Sequence, residues 1–96
     1  MLLYRLEIKI YNRMSSKQTL LNALETEKAG DWNKAHEMVQ NLHHTFAFWI
    51  HGYLHRKEPD LMNASYWYSR AKKPMPEYSY EQEWNEISHF IKNAEM

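Results

Sequence analysis

The chain has no cysteine, and only two glycines and three prolines among 96 residues. Without cysteine there is no disulfide framework, iron–sulfur cluster, thiolate-ligated zinc module or cysteine nucleophile. Two isolated glycines cannot build a phosphate-cradling loop or a dinucleotide-binding turn. Net charge is lacking as well, since twelve Lys+Arg balance twelve Asp+Glu. That removes the cationic surplus with which a nucleic-acid binder neutralises phosphates. Long hydrophobic runs are also missing. The charge-free stretch from Asn41 to His55 carries four histidines, and it falls short of the ~20 apolar residues that span a bilayer. Arg5, Glu7 and Lys9 interrupt the first eleven residues, which leaves no uncharged core for a signal peptide. The expectation is one small cytoplasmic domain, or a pair of short repeats, with neither nucleic acid nor membrane as partner.

What is present is apolar surface: 44% hydrophobic and 15% aromatic residues, enough for the chain to fold. The apolar residues recur at three and four. Leu20, Ala23, Leu21 and Leu24 form one stripe, and Trp32, Ala35, Met38, Val39 and Leu42 a second. Phe46, Trp49, Ile50, Tyr53 and Leu54 form a third, Leu61, Ala64, Trp67, Tyr68 and Ala71 a fourth, and Tyr80, Trp84, Ile87 and Ile91 a fifth. Gly30-Asp31 and Pro59-Asp60 separate neighbouring stripes, and Pro74-Met75-Pro76 forbids regular helix before the last. Ser15-x-x-Gln18 and Ser79-x-x-Gln82 are capping-box patterns.

The spacing predicts an all-α fold of about five helices, near residues 16–28, 32–43, 45–57, 61–72 and 80–93. Small residues twelve apart, Ala23 with Ala35 and Gly52 with Ala64, suit two antiparallel helical hairpins that stack and are closed by the C-terminal helix. Residues 1–13 alternate apolar and charged side chains. They are read as a peripheral segment, strand-like or a helical extension, outside a single helical domain over residues 14–96.

Gly52, Asp60, Ala64, Tyr68, Ala71 and Pro76 stand at the relative spacing of the tetratricopeptide consensus, and the run Ala64-Ser65-Tyr66-Trp67-Tyr68-Ser69-Arg70-Ala71 resembles the core of the related Sel1-like repeat. The stretch Gly30-Asp31-Trp32 with Ala35-His36-Glu37, followed by His51-Gly52-Tyr53-Leu54-His55-Arg56-Lys57-Glu58, also resembles a group of small bacterial helical proteins without an assigned activity. These resemblances imply helical hairpins whose concave side holds a peptide.

Two candidate sites follow. Trp49, Tyr53, Arg56 and Lys57 share one broad helical face. The aromatics supply flat contact area there and the cations suit a carboxylate. Tyr66 looks outward near Arg70 one turn on, where a cation–π contact extends the same aromatic and basic character. The predicted function is a small interaction module for a peptide or protein segment, with a homodimer as a further expectation. The alternative is a metal-binding or metal-dependent helical protein. His51 and His55 are four apart, so both imidazoles point one way on a helix, and Glu58 lies one turn beyond as a third ligand. His44 falls on a similar face. The bland reading of these histidines is packing, with no metal or cofactor. Ser65, Ser69 and Ser88 lie inside helices, away from any nucleophile elbow. An interaction protein is therefore expected before an enzyme. The basic block 56–73 and the acidic block 77–86 are expected to attract one another.

Overall fold

Each helix begins and ends where local chemistry demands it. The computed structural model describes residues 16–96 as five helices, with no strand among the described residues. They are α1 (residues 16–28), α2 (Trp32–Val39), α3 (Thr45–Lys57), α4 (Leu61–Ala71) and α5 (Tyr80–Asn93). The alternating segment within residues 1–13 and the Ser15 pattern lie outside the described residues. Asp31 accepts a hydrogen bond from the Lys34 amide at 3.0 Å, Asp60 from Asn63 at 3.3 Å, and Ser79 from Gln82 at 3.0 Å. Each side chain satisfies one of the orphan donors of a first helical turn.

Helix ends are equally explicit. Gly30 has φ +103°; its amide donates to the Glu27 carbonyl at 2.9 Å, and that of Asp31 to Thr26 at 3.1 Å. This pair of bonds is the left-handed helix stop that favours glycine. α4 stops the same way without glycine. Lys72 has φ 58°, and the Lys72 and Lys73 amides donate to Ser69 at 3.1 Å and Tyr68 at 3.0 Å.

One boundary differs from the sequence expectation. α2 ends at Val39 rather than near residue 43. The Leu42 amide bonds back to Val39 at 3.1 Å, a tight terminal turn. His44 is already extended, at φ −150°, and its Nδ1 accepts from the Phe46 amide at 3.1 Å. These residues reverse the chain into α3 and so cannot continue α2.

α3 is the centre of the molecule. Trp49 to His55 are buried without a gap. Successive helical residues differ by about 100°, so seven in a row face every direction. α2, α4 and α5 all pack against α3. α1 adds Leu20, Ala23 and Leu24 to the same core, where Ile50, Leu54, Ala64, Tyr68, Ile87 and Ile91 are also buried. The α3–α4 pair is the most extensive contact, and Gly52 explains how closely it forms. A Cβ on Gly52 would stand 3.0 Å from Cδ2 of the Tyr68 ring. No helix among the described residues is long and apolar enough to cross a membrane.

Candidate functional site

Four of the side chains expected to form a partner-binding face lie inside or are paired within the fold. Trp49 and Tyr53 are each 2% exposed. Trp49 Nε1 donates to Glu83 at 3.1 Å, Tyr68 OH donates to the same carboxylate at 2.6 Å, and Arg56 pairs with it at 2.9 Å. Arg56 also donates to the Tyr78 carbonyl. Tyr53 OH donates to Glu27 at 2.8 Å, and Lys57 pairs with the other oxygen of Glu27. The expected face of Trp49, Tyr53, Arg56 and Lys57 is therefore the junction at which α5 and α1 clasp α3. Sequence periodicity put these residues on a common side, but it did not reveal that a carboxylate on another helix waits for each.

Burial dominates the electrostatics at this junction. It pushes the Glu83 carboxyl above the usual carboxylate range, although its hydrogen bonds from Tyr68 and Trp49 and the Arg56 cation pull the other way. The Tyr53 and Tyr68 hydroxyls are raised, first by burial and then by the carboxylates that accept from them. Tyr78, bonded to Glu86 at 3.0 Å, is pushed up to about 12 for the same reasons. Such phenols stay protonated as hydrogen-bond donors and do not serve as bases.

The histidines gather differently from the expectation. His51 and His55 do share one side of α3, but the third imidazole beside them is His36 of α2, with one ring nitrogen from each lying within 4.8 Å of the others. His44 caps α3 instead. Trp32 stacks on His36 with centroids 5.0 Å apart, and Trp67 stacks on His51 at 3.8 Å. His36 meets His51 edge-on at 4.6 Å. Trp32 itself is anchored by an Nε1 bond to the Leu54 carbonyl at 2.7 Å. Burial, then the neighbouring imidazoles of His36 and His55, then Arg70, lower His51 to about 3. Burial and His55 lower His36 as well, against the pull of Glu58 and Glu37. Glu58 stands one step behind: its Oε1 is 2.9 Å from Nδ1 of His55. His55, Glu58 and Asp60 also cluster, but Asp60 caps α4 and both acids are exposed. His36 was missed in sequence because its proximity depends on how α2 docks, which no spacing within α3 encodes.

Tyr66 and Arg70 do face outward, and they extend a surface. Met62, Tyr66 and Arg70 are successive fourth residues on the outer side of α4; Met62 is 88% and Tyr66 56% exposed. The Arg70 guanidinium lies over Phe48 at 4.2 Å, Trp67 at 5.0 Å and Tyr66 at 5.8 Å. Lys73, just beyond, sits over Trp49 at 4.4 Å and Phe90 at 5.1 Å. The basic and acidic blocks meet only in part. Arg56 reaches Glu83, whereas Arg70, Lys72 and Lys73 make no ion pair among the described residues.

A cleft of about 490 Å³ opens beside Tyr53, Tyr80 and Trp84. Its cations already meet its own walls: Lys28 lies over Trp84 at 4.4 Å, and Lys57 pairs with Glu27. Among the described residues, Arg70 on the outer side of α4 has no ion pair, and the His36 and His51 rings have no hydrogen bond. Comparison with known proteins finds no matching family model, no matching curated protein and no matching solved structure.

Proposed function

We propose that the chain is a small cytoplasmic interaction module, built on a tetratricopeptide-like or Sel1-like hairpin of α3 and α4. It presents the outer side of α4 to an acidic peptide segment that carries an aromatic or apolar side chain. The observation that carries this reading is Arg70, a guanidinium braced over three rings with no carboxylate among the described residues. A stacked guanidinium keeps its in-plane N–H donors free, and a carboxylate is the group that accepts two of them together. Exposed Tyr66 and Met62 supply the apolar contact beside it, and Lys72 and Lys73 the surrounding positive charge. Burial of Gly52, Ala64, Tyr68 and Ala71 between the two helices supports the hairpin part of the reading.

A random copolymer of glutamate and tyrosine is the direct probe. Titrated into the isotopically labelled full chain, it should move the amide signals of α4 and the Trp67 indole. Arg70→Ser and Tyr66→Ser change exposed positions, and each should weaken binding at least tenfold, about 1.4 kcal/mol. Shifts confined to other helices, or equal binding by both variants, overturn the assignment. Concentration-dependent shifts of the same signals without the copolymer point to a second copy of the chain as the occupant, which replaces the peptide in this reading.

A further inference from the structure

The three-imidazole cluster adjoins the α4 surface through Trp67 but has a chemistry of its own. Its rings come from two helices that otherwise make modest contact, and they are oriented by aromatic stacking on their faces. Trp32 covers His36 and Trp67 covers His51, each nearly parallel, with interplanar angles of 9° and 10°. Stacking occupies the π-faces and leaves the nitrogen lone pairs, which lie in the ring planes, uncovered. Neither His36 nor His51 makes a hydrogen bond among the described residues. Among the described residues no fully buried polar side-chain atom lacks a partner, so the unbonded His51 nitrogens keep some contact with solvent although the residue is only 5% exposed.

We propose that His36, His51 and His55 form a binding site for one divalent late-transition-metal ion. Glu58 is the positioning residue. A carboxylate 2.9 Å from Nδ1 of His55 holds a proton on that nitrogen, which leaves the lone pair on Nε2, the far side of the ring. Carboxylate–imidazole pairs of this kind fix ligand orientation and raise ligand basicity. The low proton affinity of His36 and His51 keeps both rings neutral at pH 7, the form that donates to a metal.

The donor set selects the class of ion. Three imidazoles suit zinc, nickel, cobalt and copper, while magnesium and calcium require oxygen donors. Tetrahedral zinc with Zn–N near 2.1 Å brings nitrogens to ~3.4 Å of each other, and one nitrogen from each of the three residues starts within 4.8 Å of the others. Closing the difference would fall to His36, the half-buried member on the eight-residue α2. Three protein ligands leave a coordination position for water. Binding would also staple α2 to α3.

The test uses the full chain without a purification tag. Calorimetric titration with zinc chloride should show one ion per chain. His36→Gln should bind at least tenfold more weakly, and Glu58→Gln by a factor of ~10–100. His89→Gln, an exposed position on α5, should bind as the parent does. Absence of stoichiometric zinc and nickel binding overturns the proposal, as does undiminished affinity in a folded His36→Gln. If that variant fails to fold, imidazole nitrogen spectra of the parent decide. Zinc-induced shifts at residues 36, 51 and 55 support the site; shifts confined to residues 43, 44 and 89 overturn it.

Discussion

The Tyr68 ring occupies the space that a side chain on Gly52 would need, with ring carbons 3.0 to 3.2 Å from the position of the missing Cβ. Tyr68 cannot easily retreat, because its hydroxyl is held by Glu83 at 2.6 Å on another helix. Gly52→Ala gains up to ~1 kcal/mol of helix propensity but forces this contact, and overpacking of a core costs about 1–3 kcal/mol. The net effect should be destabilising by about 1 kcal/mol in a urea titration. Gly52→Ala combined with Tyr68→Leu should lose the steric part of that penalty, so that the two changes are not additive.

Glu83 is the most consequential polar residue. It is fully buried and joins Trp49, Tyr68 and Arg56, one group from each of three positions on α3 and α4. Arg56→Met leaves the carboxylate without its cation and should cost about 3–5 kcal/mol, enough to unfold a marginal domain. Glu83→Leu strands Arg56 and two aromatic donors, with a similar loss. The double variant should recover part of the stability, measured as a coupling energy in a double-mutant cycle. Additive losses would mean that the pair does not interact.

Acid should destabilise the metal-free chain through its histidines. His51 is held near 3 and His36 is also lowered, whereas an unfolded chain protonates both near 6.5. Above that pH neither state carries the extra protons, and the stabilising effect of neutral burial is complete. As pH falls from 6.5 toward 3, the unfolded state gains a proton at His51 that the folded state refuses, and stability should decline by up to ~1.4 kcal/mol per pH unit from that ring. His36 acts in the same direction. Urea midpoints at pH 7.5, 6 and 5 with a chelator present read this directly, and a flat profile would place the rings in water.

Lys72 offers a gain. Its φ of 58° is the left-handed conformation, which strains a residue with a Cβ. Lys72→Gly keeps the helix stop and removes that strain, so the thermal midpoint should rise, by an amount equivalent to about 0.5–1 kcal/mol. A lower midpoint would show that the Lys72 side chain contributes a contact larger than the strain.

The fold was readable because its signals are local. The Asp31, Asp60 and Ser79 caps, the Gly30 stop and the three-and-four periodicity all act within one turn of their own helix, and α1, α3, α4 and α5 lie where that periodicity places them. α2 is shorter because its last turn answers to the reversal into α3, a tertiary demand. The sites were less readable for the same reason. Trp49, Tyr53, Arg56 and Lys57 look like a surface when α3 is drawn alone, yet Glu27 and Glu83 arrive from distant sequence to enclose them. The outward placement of Tyr66 and Arg70 was legible because none of the described helices covers their side of α4. The nearness of His36 was not, because its separation of fifteen positions from His51 means little until two helices touch.

One consequence follows from the placement of α3. Among α2 to α5 it alone packs on each of the others, so the architecture has a hub and no independent halves. A chain divided at Pro59 would strand this segment in a fragment that cannot shelter its aromatic flank, and neither piece should hold native form by itself. Mixing the two pieces should regenerate structure only as a complex, in a single concentration-dependent step.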